Sequence, residues 1–317
     1  MTEKMWMKLI HSFARNSTCL SDQKVTALNF IRVAFFSNKT AHFGFEDVEE
    51  EVKSKKVHDV FSSVAPNYDL MNDVMSFGVH RLWKDKFMSI LNPVPGMKLL
   101  DVAGGTGDIA FRFIKYLDST NKIQTENGHF DINEPFLKES PNCSSDEEVV
   151  NEEDFHVTVC DINQKMLDIG QNRVETSYYH DKIEWICGNA EKLPVADNLF
   201  DAYTIAFGIR NCVHIDKVLS EAYRVLKPGG RFLCLEFSHV QNKPLSMLYD
   251  AYSFQVIPVL GQVLARDWHS YQYLVESIRK FPPQDEFNSL IEEAGFKLVT
   301  YQNMSFGIVT IHSGYKV

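Results

Sequence analysis

The sequence predicts an α/β fold with a doubly wound, mostly parallel seven-stranded sheet and an N-terminal helical lid. Three observations support this prediction. Apolar runs of strand length alternate with segments of helical periodicity from residue 98 onward. A glycine-rich turn at 104–107 joins the first of these runs to a helix. A helical segment that contains several polar groups precedes the first strand, where a lid over a ligand would arise.

The elements before the glycine turn are predicted from the spacing of apolar residues. Residues 57–91 are expected to be helical, because apolar side chains such as Val57 and Trp83 recur along one helix face. Two prolines and a glycine at 93–96 end this segment. The strand at 98–103 follows, and it leads directly into the glycine turn.

Residues 118–154 interrupt the alternation of strands and helices. They are rich in Asn, Ser, Asp and Glu and contain few apolar residues. Because such a composition cannot form a packed core, we expect a flexible, acidic surface insertion within one domain that spans residues 41–317.

Alternation resumes after the insertion. Short apolar runs predict strands, helical periodicity predicts the helices between them, and Gly295 is expected to end the last helix as a C-cap. The expected elements are strand 157–162, helix 164–176, strands 183–187 and 200–207, helix 216–226, turn 227–230, strand 231–237, helices 245–280 and 284–294, and strands 297–304 and 308–313.

Composition narrows the class of protein. A chain of 317 residues that is 44% hydrophobic can bury a full core. The formal net charge of −10 argues against a nucleic-acid partner, since no phosphate-neutralising surface is evident. The six cysteines form no CxxC pair, so we expect neither a disulfide framework nor a metal site.

The first forty residues differ from the rest of the chain. They carry six basic residues against two acidic ones, with Ser and Thr interspersed. This composition predicts a mitochondrial transit peptide at residues 1–40, and a disordered tail is the alternative.

Several chemical groups are expected together at the carboxyl ends of the strands, where such sheets bind ligands. The glycine turn, which includes Gly104 and Thr106, lets the backbone approach a ligand closely. Asp161 ends the second strand and is placed to accept hydrogen bonds from a ribose diol. Asn189 and Ala190 follow the third strand, at the position of an adenine rim.

Asp101 lies near the glycine turn, where its carboxylate would offset an ammonium or sulfonium charge. Contacts to ribose, adenine and a sulfonium favour S-adenosylmethionine as the cofactor. A nicotinamide dinucleotide is the alternative. The turn argues against it, because no third glycine follows Gly105 and Gly107 in the GxGxxG spacing, and the helix N-terminus has no evident pyrophosphate cradle.

Two further groups of polar residues indicate an acceptor site. The segment that begins at Tyr68 carries polar residues, including His80, among apolar ones, and buried polar groups need partners. Arg210 and Asn211 directly follow the fourth strand, beside the expected methyl donor. Ordinary packing or a surface position is the alternative for each of these residues.

These segments resemble the ubiquinone/menaquinone C-methyltransferase family. One family signature is similar to Tyr68-Asp69-Leu70-Met71-Asn72 with Ser76, His80 and Trp83, and a second is similar to residues 224–238. The resemblance extends over residues 41–317 apart from the insertion, with further matches at 42–45, 249–254 and 270–274.

The resemblance implies a class I methyltransferase fold of the Rossmann-like type. It also implies methyl transfer from S-adenosylmethionine to a ring carbon of 2-methoxy-6-polyprenyl-1,4-benzoquinol, which yields the 5-methyl product. The family's cofactor contacts match Thr106, Asp161, Asn189 and Ala190. Bacterial members place a serine contact where this chain has Ala206, so a hydroxyl contact is lost there.

In this chemistry the ring carbon becomes a nucleophile as a hydroxyl group loses its proton. Arg210 is expected to stabilise the phenolate or to orient a water, because an arginine does not accept a proton. Asn211 and Tyr68 are expected to hold the ring oxygens. His80 is a candidate base, and a structural hydrogen bond is its alternative role.

The resemblance further implies partners and a location. The expected partners are a polyprenyl benzoquinol, other ubiquinone-biosynthesis enzymes in a multi-subunit assembly, and the matrix face of the mitochondrial inner membrane as a peripheral site. Apolar residues at 245–264 would form a groove for the polyprenyl tail, unless they pack onto the sheet. A monomer and a homodimer stay open. Two rival functions are O-methylation of a small phenol and a scaffolding role without catalysis.

Overall fold

The computed structural model describes residues 40–65, 68–127, 155–175 and 179–317. The chain divides into two units, residues 1–40 and 41–317, and every described residue except Thr40 belongs to the second unit. The predicted transit peptide lies outside the described residues, except for Thr40 at its end, and so do residues 128–154 of the predicted insertion.

The strands form a hairpin and a seven-stranded sheet. They are β1 (Thr40–Phe43), β2 (Glu46–Glu49), β3 (Lys98–Val102), β4 (His156–Asp161), β5 (Ile183–Cys187), β6 (Phe200–Ala206), β7 (Leu226–Phe237), β8 (Lys297–Met304) and β9 (Val309–Tyr315). The order in the large sheet is β5-β4-β3-β6-β7-β9-β8, and β9 runs antiparallel to both neighbours. The predicted doubly wound, mostly parallel seven-stranded sheet is therefore confirmed.

Helices cover both faces of this sheet. They are α1 (Glu50–Val64), α2 (Tyr68–Ser76), α3 (Val79–Leu91), α4 (Asp108–Asn127), α5 (Gln164–Val174), α6 (Ile215–Val225), α7 (Lys243–Gln255), α8 (Ile257–Leu260), α9 (Trp268–Lys280) and α10 (Gln284–Glu293). Successive residues of β3 point to opposite faces, so Leu99 packs with Phe113 of α4, whereas Leu100 belongs to the cluster of Leu219 in α6 and Phe287 in α10.

Residues 57–91 are mainly helical as predicted, but they form three helices, α1 to α3, and the first begins at Glu50. Phe77 and Gly78 separate α2 from α3, and their φ angles of 52° and 74° lie in the left-handed region. A helix cannot continue through such angles. Apolar spacing alone did not reveal this break.

The helix predicted at 245–280 is likewise divided into α7, α8, a π-helical turn at Gly261–Ala265, and α9. Arg266 has a φ of 57°, and Asp267 then caps α9 by accepting a hydrogen bond from the Ser270 N–H.

The turn predicted at 227–230 lies inside β7, where the register with β6 shifts. Helix α4 runs to Asn127, which is ten residues into the predicted insertion.

None of the helices in the described part of the chain is long and apolar enough to span a membrane.

Candidate active site

One cavity of about 500 Å³ lies at the carboxyl ends of β3, β4 and β6, beneath helices α1 to α3 and beside α9. Parallel strands end at the same edge of a sheet, which brings residues that are distant in sequence together there. All eight predicted site residues line this cavity: Tyr68, Gly104, Thr106, Asp161, Asn189, Ala190, Arg210 and Asn211.

The glycine turn between β3 and α4 forms one wall of the cavity. Gly105 has a φ of 56° and Gly107 a φ of 82°, a region that glycine adopts without steric cost. A Cβ atom on Gly104 would lie 2.7 Å from both Asp101 Oδ2 and Val159 Cγ1. Only glycine fits at this position, and the turn is therefore a cradle of bare backbone.

Asp161 lies across from this turn, at the end of β4. Its Oδ2 accepts a hydrogen bond from the Gly105 N–H at 2.9 Å, and its Oδ1 accepts one from the Asn163 N–H at 2.8 Å. Burial raises the pKa of this carboxyl, and the backbone N–H groups oppose that rise. Each oxygen can accept a further hydrogen bond, so the side chain can receive two vicinal hydroxyls.

Asp101 lies beneath the cradle and is fully buried. Thr204 Oγ1 donates a hydrogen bond to Asp101 Oδ1 at 2.9 Å, whereas Oδ2 has no hydrogen-bond partner among the described residues. Burial raises the pKa of this carboxyl to about 7. An uncompensated carboxylate next to a glycine cradle fits a cationic ligand, and both features match the expected S-adenosylmethionine.

Thr106, Asn189 and Ala190 complete this end of the cavity. Thr106 is buried within the glycine turn. Asn189 Oδ1 accepts a hydrogen bond from the Glu191 N–H at 2.9 Å, which closes a tight turn after β5. The turn fixes Ala190 at the cavity wall, and it leaves the Asn189 amide group as the donor available to a ligand.

Arg210 and Asn211 both form hydrogen bonds with side chains from other elements of the fold. Arg210 Nη1 donates to Glu236 Oε1 at 2.8 Å, and the two side chains are 5% and 1% exposed. Burial raises the pKa of Glu236, and the guanidinium opposes that rise. Asn211 Oδ1 accepts a hydrogen bond from the Tyr273 hydroxyl at 3.0 Å. Arg210 lines the cavity, and none of its hydrogen bonds to the described residues uses Nη2.

Aromatic side chains form a further part of the cavity wall, which we call the aromatic wall, and the site predicted from the sequence did not include them. Tyr252 donates a hydrogen bond to the Met75 carbonyl at 2.9 Å and thereby ties α7 to α2. Tyr249, Tyr271 and Tyr273 line the same wall. The paired tyrosines at 249–252 and 271–273 are a signal in the sequence that could have indicated this wall.

Helix α3 contributes polar groups to the cavity. His80 Nε2 lies 2.8 Å from Asp73 Oδ1, and Trp83 Nε1 donates to Ser305 Oγ at 2.8 Å. Hydrogen bonds from Arg81 and His80 hold the pKa of Asp73 well below its ordinary value. The segment that begins at Tyr68 therefore presents ordered polar side chains to the ligand space, and His80 Nδ1 has no hydrogen-bond partner among the described residues.

Lys84 and Asp108 are functional candidates that sequence reasoning missed. Lys84 is buried, and its Nζ donates to Asp108 Oδ2 at 2.6 Å. Burial raises the pKa of Asp108, but Lys84 and Arg112 together hold it below its ordinary value. Both residues line the cavity beside the glycine turn. No group of His, Cys, Asp or Glu side chains within the described ranges is arranged to hold a metal ion.

Comparison with known proteins gives consistent matches. The model of the ubiE/COQ5 methyltransferase family matches residues 49–316. The mitochondrial 2-methoxy-6-polyprenyl-1,4-benzoquinol methylase of Bos taurus is 57% identical over 87% of this chain and 83% of the relative. The enzymes of the same name from Homo sapiens and Dictyostelium discoideum are 56% and 52% identical, over 87% and 94% of this chain and 84% and 93% of their own lengths.

Solved structures share the fold at low sequence identity. A SAM-dependent methyltransferase of Thermotoga maritima is similar with a TM-score of 0.51 and 16% identity, over 82% of this chain and all of that one. The cyclase SpnF is similar with a TM-score of 0.54 and 15% identity, over 83% of this chain and 96% of that one. The fold is therefore compatible with more than one chemistry.

Proposed function

Because the chain belongs to the ubiE/COQ5 methyltransferase family, we propose that it transfers a methyl group from S-adenosylmethionine to a ring carbon of 2-methoxy-6-polyprenyl-1,4-benzoquinol, giving the 5-methyl product. One observation carries the proposal. The glycine cradle, the aromatic wall and Arg210 all line a single cavity. A donor and an aromatic acceptor could thus meet in the same enclosed space.

S-adenosylmethionine, when bound, supplies an electrophilic methyl group. Asp161 would hold the ribose hydroxyls, and the turn with Asn189 and Ala190 would hold the adenine rim. Gly104 and Thr106 would bring backbone against the amino-acid portion. The buried carboxylate of Asp101 would offset the positive charge of the ligand.

Much of the rate gain would come from positioning the ring carbon in line with the methyl group. Arg210 would stabilise the forming phenolate through Nη2, because Glu236 holds the other side of the guanidinium in place. The Asn211 amide and the Tyr68 hydroxyl would bind ring oxygens. Tyr273, which holds Asn211 Oδ1, orients that amide.

The polyprenyl tail requires an apolar path out of the cavity. We define the apolar rim as Phe77, Met247, Leu248, Val259 and Val263, which are all exposed. Phe77 lines the cavity and lies 6.2 Å, between ring centroids, from Tyr252. We propose that the tail leaves along this rim and that the rim rests on the matrix face of the mitochondrial inner membrane.

Targeting and assembly are further parts of the proposal. The relatives are named mitochondrial, and residues 1–40 have the composition of a transit peptide. A reporter protein fused to these residues should enter mitochondria. We also propose that the enzyme joins other ubiquinone-biosynthesis enzymes, and that it does so as a monomer or a homodimer. Light scattering of the purified chain distinguishes these two states.

The test is incubation with labelled S-adenosylmethionine and a demethylated quinol that carries a short prenyl tail, followed by mapping of the methyl position. We expect label on the ring carbon. Label on oxygen would favour a phenol O-methyltransferase instead. Absence of label from a folded protein that binds the cofactor would favour the scaffolding role.

A further inference from the structure

His80 combines burial, an ordered partner and an unpartnered atom at the cavity wall. Its relative exposure is 8%, and its ring lines the cavity. Nε2 faces Asp73 Oδ1 at 2.8 Å, whereas Nδ1 is buried and has no hydrogen-bond partner among the described residues. Native proteins satisfy nearly all buried polar atoms. An unsatisfied ring nitrogen at a ligand cavity therefore indicates a ligand group as its partner.

The surroundings of His80 fix its tautomer. Arg81 donates two hydrogen bonds to Asp73, at 2.7 and 2.6 Å, which keeps that carboxylate ionised. An ionised carboxylate accepts a hydrogen bond from Nε2–H, so the neutral ring keeps its proton on Nε2 and its lone pair on Nδ1. Three charged groups face His80. Lys84 lies on the same helix, α3, whereas Asp73 lies on α2 and Asp108 on α4.

We propose that His80, oriented by Asp73, is the base that removes a proton from a hydroxyl of the bound quinol. This inference rests on the proposed function and names a catalytic residue for it. The quinol hydroxyl would occupy the free side of Nδ1.

The proton and electron balance of the step is complete. The hydroxyl proton moves to His80 Nδ1, and the ring carbon forms a bond to the methyl group while the pair of the sulfur–methyl bond returns to sulfur. The methylated ring carbon then loses its hydrogen as a proton to water. The ring oxygen recovers a proton from His80, and the net products are the methylated quinol, the thioether and one proton.

Asp101, Glu236 and Arg210 are less suited to this step than His80. Asp101 Oδ1 is bonded to Thr204, and its Oδ2 lies beneath Gly104 on the cofactor side. Glu236 is bonded to Arg210 and to the Phe237 N–H. An arginine stays protonated.

The first test compares His80→Gln with His156→Gln, a control at a half-buried position away from the cavity. We expect His80→Gln to lower kcat by about 10²–10⁴-fold, the usual contribution of a general base, with the Kd for S-adenosylmethionine unchanged. His156→Gln should retain activity. A His80→Gln enzyme with near-normal kcat would overturn the proposal, provided that the wild type methylates the quinol. A wild type that fails to do so would instead overturn the proposed function.

A second test separates a missing base from a structural defect. A quinol with an electron-withdrawing ring substituent ionises more readily, so it should recover at least tenfold of the lost rate in His80→Gln relative to wild type. Burial lowers the pKa of His80, and the hydrogen bond with Asp73 opposes that fall. Asp73→Asn removes this opposition, so it should weaken the base, lower the plateau of kcat and move its acidic limb to lower pH. An unchanged limb in Asp73→Asn, or no recovery with the acidic quinol, would show that His80 acts only structurally.

Discussion

At the scale of single residues, Asp101 shows how one buried group links pH to ligand charge. Its carboxyl has a pKa of about 7 in the fold, raised by burial from 3.8. Between these two values the folded chain binds more protons than the unfolded chain. The stability that Asp101 contributes is therefore fully present below about pH 4 and is lost as the pH rises through 7.

We expect Asp101→Asn to be more stable than the wild type at pH 8 without ligand, by up to about 4 kcal/mol. Asparagine can still accept the hydrogen bond from Thr204 and carries no buried charge. Urea unfolding at pH 5 and pH 8 measures this difference. Equal stability changes at the two pH values would contradict the assignment of the titration to Asp101.

The same residue predicts the pH dependence of cofactor binding. A cationic ligand favours the ionised carboxylate, so the affinity of the wild type for S-adenosylmethionine should rise from pH 6 to pH 8, with release of a proton. Asp101→Asn should remove this rise. Calorimetry in two buffers of different ionisation enthalpy measures the proton. The product S-adenosylhomocysteine, which lacks the sulfonium charge, is the matched control ligand and should show a smaller rise.

Arg210 belongs to a buried pair, which decides how it can be tested. Removal of the guanidinium alone would leave the Glu236 carboxylate buried and unpaired, at a cost of about 3–5 kcal/mol. The informative comparison is Glu236→Gln against Glu236→Gln combined with Arg210→Met. The glutamine amide oxygen can still accept the hydrogen bond from Arg210, so we expect the single variant to retain most activity, whereas the double variant should lose about 10²–10³-fold in kcat. Retention of kcat in a folded double variant would exclude the phenolate role.

At the scale of elements, α1 lies over the cofactor end of the cavity, and several hydrogen bonds hold it there, two of them to residues that follow β4 and β6. Asn163 Nδ2 donates to Ser62 Oγ at 3.0 Å, and Lys53 Nζ donates to the Cys212 carbonyl at 2.6 Å. Asn163 also caps α5 by accepting from the Lys165 N–H at 3.1 Å. One side chain thus joins the lid to the helix after β4.

Replacement of Asn163 by serine should separate these two roles. A serine retains the cap but cannot reach Ser62, so we expect the Kd for S-adenosylmethionine to rise about 3–10-fold at similar thermal stability. Asn163→Ala should also lose the cap and about 1 kcal/mol of stability. Asn242→Ser, at the cap of α7 and outside the cavity, is the control and should bind normally. Normal binding by Asn163→Ser would show that α1 does not need this bond.

The elements also show the limits of sequence patterns. The strands at 183–187 and 297–304 were predicted with their observed bounds, because their apolar runs end at clear polar or glycine positions. The long helices at 57–91 and 245–280 were predicted without their breaks. Left-handed residues such as Phe77 and Arg266 leave no mark in apolar periodicity, since they are neither glycine nor proline.

At the scale of the whole molecule, the apolar rim presents five large apolar side chains to solvent, and Phe77 among them also lines the cavity. Met247 and Leu248 are 74% and 68% exposed at the start of α7. Burial of such side chains in a lipid phase is favourable by about 25 cal/mol for each Å² removed from water. With a formal net charge of −10, the chain as a whole is repelled by anionic lipid, so apolar contacts must dominate.

We expect the protein to co-sediment with neutral phosphatidylcholine vesicles, and to do so at high salt as well. Met247→Glu combined with Leu248→Glu should reduce the bound fraction at least fivefold while activity on a short-tailed quinol persists. Leu298→Glu, at an equally exposed position on the edge strand β8, is the control and should bind like the wild type. Vesicle binding by the double variant at the wild-type level would remove the rim from the proposal.

The sequence by itself determined the sheet, the glycine turn and the strand ends that meet at the cavity. These features follow from the periodicity of apolar residues and from the positions of glycines, and both can be seen within a short segment of sequence. Only the tertiary structure decided that Arg210 is bound to Glu236, that Tyr273 holds Asn211, and that His80 Nδ1 is buried without a partner. These properties depend on segments that are distant in the chain and on the exclusion of water between them, and no local pattern encodes either.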